Sequence, residues 1–228
     1  MSAFGAIPVD FHKANIDFLV TSSNKCIEGV PGFAIVIANK AKLLKLKNNS
    51  RSLSLDLVGQ YEQLEKTKQF RFTPPTHSII AFKKALEELI KEGGPSFRYK
   101  RYSNNHRIVR EGLLEMGFTE FVPLEEQGKI INTFRYPNHP KFNFDEFYQR
   151  LSNKGKLSRI KIYSYLLLKI INFFYSGQII YPGKLTKASC FRIGNIGDLH
   201  ESDMKKLVAS VREVCTEMEI ELPLHNNQ

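Results

Sequence analysis

Three stretches of this sequence combine residue types able to do chemistry. In TSSNKCIEGVPGF, Thr21 to Phe33, one lysine, Lys25, sits between small polar residues and a glycine- and proline-rich turn. A lysine amine attacks a carbonyl only after shedding its proton, which desolvation or a neighbouring cation favours. Ser22, Ser23 and Asn24 before it, with Gly29, Val30, Pro31 and Gly32 after it, give a tight site of small side chains and backbone donors. In FTPPTH, Thr73, Thr76 and His77 bring hydroxyl and imidazole groups beside stiffened backbone, a corner suited to an anion ahead of a helix N-terminus. In YPGKLTKASCFRIGNIG, Arg192 lies between Phe191 and Ile193, and a guanidinium held there can take a carboxylate through two parallel hydrogen bonds. Each also has an ordinary reading: a surface lysine, an N-capping threonine, and an exposed or ion-paired strand arginine.

These groups need rigid elements to place them. Ile16 to Thr21 reads as a short buried strand and Gly32 to Asn39 as a second, which puts Lys25 on the loop between two strands. RFTPPTH, Arg71 to His77, is a proline-stiffened connection. Thr76 then caps a helix whose apolar face runs Ile79, Phe82, Leu86 and Leu89 and which stops at Gly93-Gly94. Pro95 suits the first turn of the next helix, where a missing N–H costs nothing, and that pattern runs through Ile108 and Leu113 to Gly117. KIINTFRYP is strand-like, and Asn143 with Glu146 makes a capping box for a helix from Phe144 to about Asn153. QIIYPG and SCFRIGN read as two short strands. A last helix opens at Ser202, with apolar Met204, Leu207, Val208, Val211, Val214 and Met218. Alternating helices and strands, without an internal repeat, predict an α/β fold.

The 228 residues, 42% of them hydrophobic, suffice for a packed core. Cys26, Cys190 and Cys215 are odd in number and widely spaced, so neither a disulfide framework nor a metal site is expected. The net charge of +10 raises the question of an anionic polymer or membrane surface. Its distribution argues otherwise, because KKALEELIKEGG and DMKKLVASVREVCTEMEIE mix acids with bases as solvated helix faces do. Only 156–177 is basic without acids, through Lys156, Arg159, Lys161 and Lys169. Its apolar run is too short and charged for a membrane span. No nucleic-acid or membrane partner is expected. The opening residues are interrupted by Pro8, Asp10, His12, Lys13 and Asp17 and do not form a signal peptide, so a cytoplasmic location is expected.

The chemistry-bearing stretches extend into AFGAIPVDFHKANIDFLVTSSNKCIEGVPGFAIVIA, SRSLSLDL, RFTPPTH, EGG, NFDEFYQRL and IIYPGKLTKASCFRIGNIGDL. In order and spelling these resemble the 2-aminoethylphosphonate:pyruvate aminotransferases, in the class V branch of the fold type I pyridoxal phosphate enzymes. The resemblance covers nearly all of the chain except 156–177. It implies the C-terminal portion of a large cofactor-binding domain in 1–75 and a small α/β domain in 76–228. It implies pyridoxal 5'-phosphate as cofactor and, as activity, transfer of the amino group of 2-aminoethylphosphonate to pyruvate, giving phosphonoacetaldehyde and L-alanine. By the same resemblance Lys25 anchors the cofactor aldehyde and moves the proton as general base. Asn24 is a neighbour of the cofactor phosphate. Thr73 reaches the phosphate of a partner subunit, which implies a homodimer, and Arg192 grips the acidic substrate. Cys26, beside the anchor lysine, is expected to pack as a small apolar side chain.

Two departures accompany the resemblance. The family's long N-terminal half, with its glycine-rich phosphate loop and the aspartate that keeps the pyridine nitrogen protonated, has no counterpart in this sequence. The chain is therefore expected to be N-terminally truncated and to transaminate poorly as it stands, and mitochondrial targeting stays open. The segment 156–177 is the second. Gly155-Lys156 can be written GGT-AAG, a splice donor, and Phe173 to Gly177 can be written as a pyrimidine tract ending in an acceptor. Excision in frame leaves LSNKGQIIYPGKLT, which matches the family without a gap, so 156–177 reads as a retained intron. A translated segment would pack poorly and displace the strand carrying Tyr181. Two other functions are carried forward: a related class V aminotransferase moving the amino group of alanine or serine to glyoxylate, and a non-catalytic basic fragment.

Overall fold

The loop that carries Lys25 hangs between two paired strands. In the computed structural model, which describes residues 1–157 and 188–224, Phe18–Ser22 (β1) and Ala34–Ala38 (β2) run antiparallel, with Phe18 opposite Ala38 and Ser22 opposite Ala34. β2 falls within its expected strand; β1 runs one residue past the expected end at Thr21, and with Phe18 and Val20 exposed it is not the buried strand expected. Three helices follow. Lys40–Leu44 (α1) is capped by Asn39, whose side chain accepts from the Lys42 amide. Leu57–Thr67 (α2) is capped by Asp56, which accepts from the Gly59 amide at 3.1 Å. Thr76–Glu92 (α3) ends at Gly93 in the left-handed region, φ 109°. Thr76 is not its cap: it already has helical backbone, and Pro75 stands at the N-cap position without a side-chain bond.

Pro95–Glu115 (α4) begins at the expected proline and is followed by Gly117, φ 84°. The chain packs as two units, Met1–Tyr99 and Lys100–Gln228, so α4 begins in one and ends in the other. The domain division that the resemblance implies, between 75 and 76, falls just before α3, and α3 packs within the first unit. Its Phe82 meets Phe33 edge-on at 5.4 Å, and its Ser78 hydroxyl donates to the Pro31 carbonyl at 3.2 Å.

The second unit centres on Ile131–Arg135 (β3) and Cys190–Gly194 (β4), antiparallel, with Thr133 opposite Arg192. The helices Phe144–Leu157 (α5) and Glu201–Glu217 (α6) complete it. Asn143 caps α5, accepting from the Glu146 amide at 3.0 Å, but the Glu146 carboxylate turns forward to Arg150 rather than back. Only half of the capping box forms. Phe134 and Phe191 lie side by side on the sheet, 5.8 Å between ring centroids, and Phe118 and Phe147 close over them. Leu113, Met116, Leu151, Ile193, Val211 and Val214 are buried in the same cluster. Gly112 lets α4 and α6 approach, since a Cβ there would meet Val208 at 2.5 Å. The QIIYPG strand, Tyr181 and nearly all of 156–177 lie outside the described residues. Among the described residues no helix is long and apolar enough to cross a membrane.

Polar side chains line the buried face of α4. Asn105, His106, Asn132 and Asn195 are all buried. The Asn195 amide donates to the carbonyls of Tyr102 and Lys129, and that of Asn132 to the carbonyl of His106. Burial, and secondarily the Lys129 ammonium, push the His106 imidazole down to about 4 from 6.5. A lowered folded-state value means that the stabilisation is present above about pH 6.5 and is lost as the pH falls toward 4. Urea unfolding should therefore show about 2 kcal/mol of stability lost at this group between neutral pH and pH ~4.5. His106→Gln should flatten that part of the pH profile, and an unchanged profile would contradict the assignment.

Candidate active site

The Lys25 turn is closed by its own backbone. The Gly29 amide donates to the Ser23 carbonyl at 2.9 Å and the Glu28 amide to the Lys25 carbonyl at 2.8 Å. Ser23, fully buried, donates its hydroxyl to the Val30 carbonyl at 2.6 Å. The side chains of Cys26 and Ile27 point into the unit, at 0% and 4% exposure, and the Cys26 thiol reaches the Ser2 carbonyl at 3.0 Å. Lys25 and Asn24 are left half-buried at the rim. Gly29 is required by close approach: a Cβ there would lie 2.8 Å from the Ser23 carbonyl oxygen and 3.3 Å from the Phe82 ring.

One side chain outside the turn holds it. Arg98, in the first turn of α4, is 2% exposed. Its Nη1 donates to the Cys26 carbonyl at 2.7 Å and lies 3.4 Å from the Glu28 carboxylate, while its Nε donates to Glu92 at 2.6 Å. Glu28 sits in the left-handed region, φ 63°, a costly conformation for a residue with a Cβ. Sequence reasoning missed Arg98 and Glu28. The signal for Arg98 was its phase: Arg98, Tyr102, Asn105 and Val109 recur at helical spacing, which puts a guanidinium on the face of α4 that is otherwise buried.

Cys26 packs as expected. Burial raises its thiol to about 11, against the opposing effect of the Arg98 cation, so it is a protonated thiol rather than a nucleophile at neutral pH. Thr73 is exposed on the connection ahead of α3, and among the described residues its hydroxyl has no hydrogen bond. That connection is pinned by Arg71, which pairs with Asp56 at 3.1 Å. Arg192 is in the second unit, half-buried on β4. Its neighbours Phe191 and Ile193 enter the core, so by strand alternation its side chain leaves from the other face. Thus Lys25 and Asn24 share one turn, Thr73 stands on a separate connection of the same unit, and Arg192 is on a strand of the other. Among the described residues no group of three His, Cys, Asp or Glu side chains is arranged to hold a metal.

A model of the aminotransferase class-V family matches residues 1–147, more than half of the chain and both strands flanking the Lys25 turn. The chain belongs to the class-V aminotransferase family. A 2-aminoethylphosphonate–pyruvate transaminase of Bacteroides fragilis is 45% identical over 214 residues, covering 93% of this chain and 53% of that protein. One of Lysinibacillus sphaericus is 42% identical over 228 residues, covering 100% of this chain and 54% of that protein. This class-V chain spans about half the length of the curated relatives it matches. Its fold is similar to that of part of a pyridoxamine-pyruvate aminotransferase of Mesorhizobium loti, TM-score 0.76 at 18% identity, over 96% of this chain and 51% of that one. An alanine–glyoxylate aminotransferase of Nostoc gives TM-score 0.70 at 18% identity, over 93% and 52%.

Gly29→Ala should strain the turn without touching its side-chain chemistry. With backbone on one side and a packed ring on the other, destabilisation of about 1–3 kcal/mol is expected, measured by chemical denaturation of the first unit. Wild-type stability in that variant would show that the turn has room to give.

Proposed function

We propose that this chain carries the cofactor-anchoring lysine and the substrate-gripping arginine of a 2-aminoethylphosphonate–pyruvate transaminase, which moves the amino group of 2-aminoethylphosphonate to pyruvate and releases phosphonoacetaldehyde and L-alanine. Membership of the class-V family implies pyridoxal 5'-phosphate. The observation that carries the reading is the Lys25 amine: half-buried, on a turn closed by its own backbone bonds, and without an ion pair among the described residues. The relatives at 42–45% identity supply the substrate.

The residues present fit such a cofactor. The Ser22 hydroxyl, three residues before Lys25, is buried with no hydrogen-bond partner among the described residues, a polar group suited to an added acceptor. Asn24, on the same turn, is placed to donate to a phosphate. Thr73, exposed and free of intramolecular bonds among the described residues, is suited to reach another protomer, which supports a homodimer. When bound, pyridoxal phosphate supplies an aldehyde for the lysine and a ring that withdraws electrons from the substrate carbon. Lys25 Nζ would hold the cofactor and would serve as the base for the proton that moves during amino-group transfer. Arg192 orients the acidic end of the substrate through paired N–H donors. Because the guanidinium is a fork and not a point charge, lysine is a poor substitute there.

We assign 1–75 to the cofactor-binding domain of the longer enzyme and 76–228 to its small domain. The surface of the first unit agrees with a place in a larger assembly. Among the described residues every exposed large hydrophobic except Leu124 lies in it, including Phe18, Val20, Leu55 and Phe70, and such surface marks contact with further protein.

In the full protein carrying this chain, borohydride reduction with pyridoxal phosphate followed by peptide mapping should label Lys25 alone, and Lys25→Ala should carry no label. Arg192→Ala should lower kcat/KM about a hundredfold while leaving the label in place. Alanine formation should depend on 2-aminoethylphosphonate. Dependence on serine or alanine with glyoxylate would assign the neighbouring class-V activity, and a label elsewhere or nowhere would leave the non-catalytic reading.

A further inference from the structure

We propose that Arg98 is a positioning residue for Lys25: its buried guanidinium fixes the backbone on the C-terminal side of the lysine and so sets where the amine can reach. The proposal rests on Lys25 being the anchoring residue. A guanidinium at 2% exposure has given up its water and is tolerated only when its donors are satisfied in good geometry. The partners here are Glu92, Glu28 and the Cys26 carbonyl. Two of the three belong to the Lys25 turn, some seventy residues away in sequence.

The turn needs a hold from outside. Its backbone satisfies the Ser23 and Lys25 carbonyls from within, through the amides of Gly29 and Glu28. The Cys26 carbonyl, directly after Lys25, is bonded by Arg98 at 2.7 Å. Releasing it frees the peptide plane that follows Cys26 and leaves a buried acceptor without a donor, which favours rearrangement of the turn. The same guanidinium stands 3.4 Å from the carboxylate of Glu28, the one residue of the turn held in the left-handed region without being glycine. Arg98 is itself rooted, because Glu92 is the last residue of α3 and Arg98 lies in the first turn of α4. The turn is thereby tied to a helix–helix junction, and Lys25 keeps only its side-chain torsions as freedom. A lysine at position 98 would offer one ammonium in place of a planar fork and could not serve all three acceptors.

The test uses Arg98→Ala, Arg98→Lys and Glu28→Gln in the full protein carrying this chain, with three readouts. Native-state hydrogen exchange at the Glu28 and Gly29 amides should quicken about tenfold or more in Arg98→Ala, less in the other two, while the β3–β4 amides keep their wild-type rates. The rate of borohydride-trappable attachment of pyridoxal phosphate at Lys25 should fall about tenfold in Arg98→Ala, with partial rescue in Arg98→Lys. Turnover should lose kcat while KM for the amino donor stays within about twofold, since Arg98 does not touch substrate. Should Arg98→Ala fail to fold, Arg98→Lys and Glu28→Gln carry the same comparison. Wild-type exchange at Glu28 and Gly29 in the folded variants overturns the positioning role whatever the label shows. A wild-type label away from residue 25 instead overturns the anchoring reading and the catalytic part of this proposal with it.

Discussion

A desolvated guanidinium holding a six-residue turn is the constraint on which the first unit depends. Ser23 to Glu28 has no regular secondary structure to keep it in shape, and its short backbone bonds close it locally without fixing its place. Arg98 supplies what local bonds cannot, a connection from the turn to the α3–α4 junction. Burying such a group is costly, and the cost is offset only while all three partners remain. Loss of one acceptor would leave a buried donor of the guanidinium without its partner, which couples the turn to the junction.

The elements framing the site were legible because their signals are local. A proline at a first turn, glycines after last turns and an asparagine before a helix each act over about four residues; α3 and α4 begin and end, and α5 begins, near where those residues predict, while α5 runs to Leu157, past the expected Asn153. The strands flanking Lys25 were equally plain, being apolar runs bounded by turn residues. Two helices escaped. The first, α1, has only five residues and buries none of them; α2 does carry Leu57, Val58, Tyr61 and Leu64 at helical spacing behind an Asp56 cap, a local signal that sequence reasoning missed. Thr76 shows the limit of cap rules: hydroxyl, spacing and following helix were all present, yet the helix starts at Thr76 itself because Pro75 already occupies the boundary. Glu146 shows another. Its carboxylate had two partners within reach, and the guanidinium of Arg150 won over the backbone amide, as charge-assisted pairing favours. Within the site, the reactive amine was visible from its small neighbours. Its support was not, because the partnership of Arg98 with Cys26 and Glu28 exists only once α4 is folded back against the turn.

The two units solve the burial problem differently. The second carries an aromatic cluster on a two-stranded sheet with helices across it, and its helices are stitched at the surface by Lys154 to Glu213 and Arg150 to Glu217. Exposed pairs of this kind add little, so the weight falls on the packed rings and aliphatic side chains. The first unit pairs a two-stranded sheet, marginal by itself, with helices that leave Phe18, Val20, Leu55 and Phe70 open. Its order near Lys25 thus cannot come from a broad core. It comes from a few specific polar contacts, which is why a single guanidinium matters more here than any one side chain does in the second unit.

That economy also explains why the amine, and not the neighbouring thiol, is the group presented. In the turn Ser23, Cys26 and Ile27 are drawn inward, each by a carbonyl or an apolar contact, and their burial is what seats the loop. Cys26 gives its thiol to the Ser2 carbonyl and, raised to about 11, stays protonated at neutral pH. Lys25 alternates out of that inward set, carrying its charge toward the rim where water or a ligand can meet it. A lysine at position 26 would face the buried side and a cysteine at 25 would be free to ionise, so the order of these two residues follows from which side of the turn faces the protein.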